Sequence, residues 1–248
     1  EGIDIVLAID WSGSMAAEDF ELNGRRTNRL DVVKKVVADF VEGRKYDRLG
    51  LVAFGGVAYT VCPLTTDYSW LTANLERIQL GLIQDGTAIG SAVNMSLLRL
   101  KDSKAKSKVI ILLTDGMNNA GKIDPLTAAK AAKALGIKIY TIGAGRRCVV
   151  PFPVKDIWGR SYYENVKVEI DEEMLKKAAS LTGGQYFRAL DTASLEKIYQ
   201  EIDSLEKTKI EEFGYKEYKE LFPGVLIMAL FLSALELILN NTIFLRIP

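Results

Sequence analysis

Apolar residues along this chain come in short runs, separated by stretches in which they recur at helical spacing. Ile3–Asp10 reads I-D-I-V-L-A-I-D, an almost continuous apolar run of strand length that ends on a carboxylate. Arg48–Phe54 and Lys108–Thr114 repeat the pattern, and Lys138–Ile142 and Gln185–Arg188 are shorter versions. Runs this apolar fit strands buried on both faces. Leu30, Val33, Val37, Phe40 and Val41 mark a helix, with Asn28 as its cap and Gly43 at its end. Tyr68–Ile78 predicts a second helix, and Ile89, Val93, Leu97 and Leu100 a third. Asp124 caps a fourth, with Pro125 in its first position and Gly136 closing it. Asp171 caps a helix ending at Gly183-Gly184, and Asp191 one that carries Leu195, Ile198, Ile202 and Leu205. Gly55-Gly56 reads as a hairpin turn into a short antiparallel edge strand, Val57–Val61. Glu18–Thr27 is a polar stretch with no element assigned. Arg146 to about Val168, with Pro151, Pro153 and Trp158, reads as one long loop, a length that in compact domains often serves function.

Strands alternating with helices predict an α/β fold, a doubly wound, mostly parallel, Rossmann-like sheet with helices on both faces. In such sheets ligands bind beyond the carboxyl ends of the strands. Asp10 and Asp115 both end strands, and Thr87 opens a helix, so these three segments are expected on one rim.

The tail has another character. Leu221–Leu239 carries a single charge, Glu236. At helical rise this segment spans roughly 28 Å, close to the ~30 Å of bilayer hydrocarbon. We therefore expect a transmembrane helix over 221–240, preceded by a charged connector over 207–220 and followed by a short tail, 241–248. The chain opens two residues before a core strand, so further residues holding a targeting or membrane segment are expected upstream.

Lysine plus arginine is 32 and aspartate plus glutamate is 32, so net charge gives no case for nucleic acid as a partner. There is no histidine, which excludes Ser-His-Asp and Cys-His catalysis and any zinc site with a histidine ligand. The two cysteines, Cys62 and Cys148, form neither a metal-binding spacing nor a disulfide framework and read as unrelated thiols.

The candidate chemistry lies at the end of the first strand, Asp10-Trp11-Ser12-Gly13-Ser14. In an extended chain, positions i, i+2 and i+4 face one way, so one carboxylate and two hydroxyls converge. Thr87 in D-G-T-A-I-G and Asp115 in L-L-T-D-G complete an all-oxygen set, which suits Mg²⁺ or Mn²⁺ rather than zinc. Met15, Met117 and Asn118 flank the set and are read either as partner surface or as loop packing.

These residues resemble the metal-ion-dependent adhesion site of von Willebrand factor A domains: D-x-S-x-S, then a distant Thr, then a distant Asp. The likeness spans about residues 1–206. L-A-I-D-W-S-G-S-M-A-A-E-D-F, D-R-L-G-L-V-A-F, I-I-L-L-T-D-G-M-N-N-A-G, T-G-G-Q-Y-F-R-A and I-D-S-L-E-K narrow it to the Bat (Bacteroides aerotolerance) proteins. The resemblance implies a bacterial inner-membrane protein with a periplasmic A domain between membrane helices. It implies a metal site of Asp10, Ser12, Ser14, Thr87 and Asp115 holding Mg²⁺, with Mn²⁺ or Ca²⁺ as alternatives, and with Asp115 acting mainly through water. The implied partners are a protein bearing an acidic metal-ligating residue, other Bat-type membrane proteins and a MoxR-type AAA+ ATPase. The family's two upstream membrane helices have no counterpart in this sequence, and Trp11 is bulkier than the family pattern at that position.

Two other classes compete with a non-enzymatic binding module. A nucleotide-binding oxidoreductase fits the sheet, but no G-x-G-x-x-G follows the first strand. A Mg²⁺-dependent phosphotransferase could use Asp10 as its nucleophile, yet Ser12 stands where such enzymes usually place a second carboxylate.

Overall fold

The computed structural model describes residues 2–81, 84–145, 149–155, 161–167, 170–214 and 226–233. The chain divides into two compact units, Glu1–Ile210 and Glu211–Pro248.

The first unit is built on β1 (Asp4–Asp10), β2 (Phe20–Leu22), β3 (Arg25–Thr27), α1 (Arg29–Glu42), β4 (Arg48–Phe54), β5 (Ala58–Thr65), α2 (Tyr68–Glu76) and α3 (Ile89–Leu100). There follow β6 (Lys108–Thr114), α4 (Pro125–Ala134), β7 (Lys138–Ala144), β8 (Val149–Lys155), β9 (Ser161–Lys167), α5 (Glu172–Thr182), β10 (Tyr186–Ala189) and α6 (Thr192–Gly214). The main sheet runs β10-β7-β6-β1-β4-β5, parallel except for the β5 edge, which pairs antiparallel with β4. This is the expected doubly wound sheet. The chain leaves β1 toward β4 and β5, then returns to β6 on the other side. The switch in direction therefore falls between β1 and β6, where such sheets open a crevice.

Period-two alternation sends side chains of each central strand to opposite faces. Ile5, Leu7 and Ile9 of β1, with Val109, Ile111 and Leu113 of β6, pack under α1, α2 and α6. Val6, Ala8, Ile110 and Leu112 pack under α3, α4 and α5. The side chains of the expected caps Asn28, Asp124 and Asp171 each accept a backbone N–H of the first turn, Asp67 does the same for α2, and Gly183 ends α5 in the left-handed region. Glu206, on α6 and 1% exposed, accepts from Ser107 Oγ, Lys138 Nζ and the Tyr140 hydroxyl, which ties the helix to the starts of β6 and β7.

Two segments differ from the sequence reading. Glu18–Thr27 contains the β2–β3 hairpin, turned by Asn23 and Gly24, both at positive φ. The Asn-Gly pair is itself a hairpin signal, hidden by the polarity around it. The long loop after β7 holds a second antiparallel ribbon, β8–β9. Its prolines suggested a loop because proline cannot donate to a ladder. Pro151 instead turns its carbonyl outward, where it accepts the Glu18 N–H at 3.2 Å. A strand residue's N and O point the same way, so the absent donor lies on the unpaired edge.

In the second unit only residues 226–233 are described beyond the end of α6; they are helical. The expected span Leu221–Leu239 and the 215–220 part of the connector otherwise lie outside the described residues. No helix among the described residues is long and apolar enough to cross a membrane. Cys148 is also outside them; Cys62 is a buried free thiol.

Candidate metal centre

The five expected residues meet at the carboxyl ends of β1 and β6. Asp10 ends β1 and Asp115 follows β6, its neighbour in the sheet, and both are fully buried. Asp10 Oδ1 accepts the Ser12 N–H at 2.9 Å, and its Oδ2 accepts the Thr114 hydroxyl. Ser12 Oγ and Ser14 Oγ lie 2.9 Å apart, and Ser14 Oγ donates to Asp115 Oδ1 at 2.6 Å. The serines are not on a continuing strand, as the i, i+2, i+4 argument had it. Gly13–Ala16 is a 3₁₀ turn, and that turn folds Ser14 back toward Ser12 and Asp115.

Thr87 is 3% exposed and lies against Gly116, where an added Cβ would stand 3.1 Å from its hydroxyl oxygen. Two asparagines hold it there. Asn119 Oδ1 accepts the Thr87 N–H at 2.7 Å, and Asn118 Oδ1 accepts the Ile89 N–H at 2.9 Å. The N-N pair after T-D-G thus carries the threonine loop, a role the sequence reading left open. Of the other flanking residues, Met15 is buried in the core and Met117 stands 46% exposed on the rim. Trp11 is buried, lies against Tyr59 with tilted rings 5.8 Å apart and donates its indole N–H to the Gln79 carbonyl.

Burial, and next the neighbouring Asp115, push the Asp10 carboxyl up to about 7, against hydrogen bonds from Ser12 and Thr114 that favour its charge. Burial also raises Asp115, although Arg29 and Ser14 pull the other way. Arg29 is the residue the sequence reading missed. It stands between the cap Asn28 and the apolar Leu30, where a solvated charge is expected, yet its side chain is fully buried and its Nη1 donates to Asp115 Oδ2 at 2.7 Å. Asp10, Asp115 and Asp19, the last paired with Arg29 at two points, share a single arginine, so this buried site carries more acidic than basic groups, and a cation would relieve the imbalance.

Comparison with known proteins agrees with this fold. The model of the von Willebrand factor type A domain matches residues 4–201. The chain belongs to the von Willebrand factor type A domain family. An uncharacterized protein of Borreliella burgdorferi is 31% identical over 245 residues, covering 99% of this chain and 70% of that protein. Among solved structures, the chain resembles the conserved hypothetical protein BatB from Bacteroides thetaiotaomicron at 31% identity and a TM-score of 0.69, covering 83% of this chain and all (100%) of that one. It also resembles an aerotolerance-related membrane protein from Bacteroides fragilis, in a form with multiple mutations to serines. There the identity is 29% and the TM-score 0.67, covering 82% of this chain and 100% of that one. The Bat likeness read from the motifs is thus found in the fold as well. The two central carboxylates of this A domain stand at the switch point of the sheet.

Proposed function

We propose that the protein is a membrane-anchored, metal-dependent protein-interaction module. The observation that carries the reading is the pair of fully buried carboxylates, Asp10 and Asp115, ringed by Ser12, Ser14 and Thr87 at the sheet's switch point. Among the described residues no group of three or more His, Cys, Asp or Glu side chains could hold a metal. The candidate set instead adds hydroxyls to two carboxylates, a donor chemistry that fits Mg²⁺, with Mn²⁺ or Ca²⁺ as alternatives. Asp10, Ser12, Ser14 and Thr87 would hold the ion, with Asp115 behind Ser14. The bound ion would supply a positive, open position for an acidic side chain of a partner protein.

Two observations favour binding over phosphoryl transfer. Both Asp10 oxygens already accept hydrogen bonds, and Asp115, the neighbouring carboxylate, is paired with Arg29 and Ser14. Neither is placed as a nucleophile with a free acid-base partner. The partner complex isolated from native membranes should fall apart on chelation and re-form with Mg²⁺. A complex that survives both chelation and Asp10→Ala would reject the module. The Bat likeness supports other Bat-type proteins and a MoxR-type AAA+ ATPase as members of that complex, and their absence from it would remove that part of the reading.

The anchor rests on the 221–240 segment. Its described part is helical, and Ile227, Met228, Leu230 and Phe231 are each more than 60% exposed, as apolar side chains facing lipid would be. The Bat likeness favours an inner-membrane anchor with the A domain in the periplasm. Lys207, Lys209, Lys216 and Lys219 before the span, against Arg246 after it, read toward the cytoplasm, but four glutamates are interleaved with them. Protease added to intact spheroplasts is expected to remove the A domain; cleavage only after the inner membrane is broken overturns the periplasmic placement.

A further inference from the structure

Arg29 is a buried cation that the metal-binding reading leaves unexplained. Among the described residues it heads the fully buried side chains in size, and it has no exposed surface. It is the first residue of α1, directly after the cap Asn28, and its N–H donates to the Ala17 carbonyl at 3.1 Å. The start of the helix therefore sets where the side chain leaves the backbone. Its guanidinium is used at three points. Nε and Nη2 donate to the two oxygens of Asp19 at 2.7 and 2.6 Å, and Nη1 donates to Asp115 Oδ2 at 2.7 Å. Gly145, at φ +95°, closes the other side; a Cβ there would overlap the guanidinium carbon. The fork is thus boxed in as well as paired.

The other oxygen of Asp115 is also engaged, by Ser14 Oγ at 2.6 Å. A serine hydroxyl can give its proton to a carboxylate and still offer a lone pair to a cation. Asp115 differs from Asp10 in having a cation of its own: Arg29 already offsets its charge, and Arg29 and Ser14 fix the direction of its two oxygens, so moving it onto the ion would give up a buried ion pair that Asp10 does not have. We infer that Arg29 is a positioning residue that keeps Asp115 out of direct contact with the metal and so reserves an inner-sphere position for a partner's carboxylate. The inference rests on the metal-binding reading above. It leaves Asp10 as the only protein charge in direct contact, so the ion keeps net positive charge and its affinity for an external anion. Lysine would not reproduce the fork, since its ammonium is a point charge without the planar spacing by which the guanidinium reaches both Asp19 oxygens on one side and Asp115 on another.

The test uses the full chain in detergent, loaded with Mn²⁺, with water-proton relaxation to count the waters on the ion and calorimetry for affinity. In Arg29→Met, Asp115 is expected to enter the inner sphere. The ion should lose about one water and bind more tightly, whereas loss of an ordinary outer-shell partner weakens a metal by about 10–100-fold. Arg29→Lys, which keeps a buried cation and so protects folding, should also lower the water count. An unchanged water count in a folded variant, at any affinity, overturns the inference, and so does weaker binding. Wild-type protein that takes up no Mn²⁺ would instead reject the metal site itself.

Discussion

Replacing Asp10 with alanine should lower Mg²⁺ or Mn²⁺ affinity by at least about 100-fold, more than the loss of an outer-shell contact costs, while the fold survives. Asp10 is the carboxylate with no cation of its own: Arg29 pairs with Asp115, and Asp10 has only Ser12 and Thr114. Titration calorimetry reads the effect directly, and an unchanged affinity sinks the assignment. The pH dependence has a definite sign. In the folded, metal-free protein the Asp10 carboxyl lies at about 7, above its ordinary 3.8. Between those values the folded state binds more protons than the unfolded one, so this group makes stability fall as pH rises. Metal needs the carboxylate form, so affinity should climb toward neutrality and flatten above it. The rise in melting temperature on adding Mg²⁺ should therefore be larger at about pH 8 than at about pH 5.5. Asp10→Asn should remove that rise and make the metal-free protein more stable than wild type at the higher pH.

Glu206→Ala is expected to give the largest loss of stability, about 3–5 kcal/mol by urea denaturation. Glu206 is buried with Lys138, Ser107 and Tyr140 all donating to it, and its removal leaves those donors without their acceptor. Burial works against the Glu206 charge, but the hydrogen bonds and the Lys138 charge outweigh it and hold the carboxyl below its usual range. A depressed carboxyl contributes stability above its unfolded value, and that contribution is lost as pH falls through the folded one. The difference between wild type and Glu206→Ala should thus shrink in acid. A constant difference from neutral pH down to about pH 3 would show that packing, not charge, is what α6 loses.

Much of this fold and site is written locally in the amino-acid sequence. The apolar runs at 3–10, 48–54 and 108–114, alternating with segments of helical spacing, determined a mostly parallel sheet with covered faces, because strands buried on both sides can carry so few polar residues. The D-x-S-x-S, Thr and Asp segments determined the candidate site, because β1 and β6 must deliver their last residues to the same edge. Turn and cap residues placed the helix starts at Asn28, Asp124 and Asp171 for local reasons. What lay beyond the sequence was non-local. Pro151 and Pro153 argue against a strand until a partner, β9, takes the other edge. Asn118 and Asn119 look like loop residues until the Thr87 turn is brought beside them from 32 positions away in the chain. Arg29 looks like a solvated helix-start charge until Asp19 and Asp115 close on it, the latter 86 positions away. Local pattern carries what backbone geometry and solvent dictate over a few residues. Which buried charge meets which partner is decided only when the sheet closes, because the cost of desolvation depends on every group that arrives there.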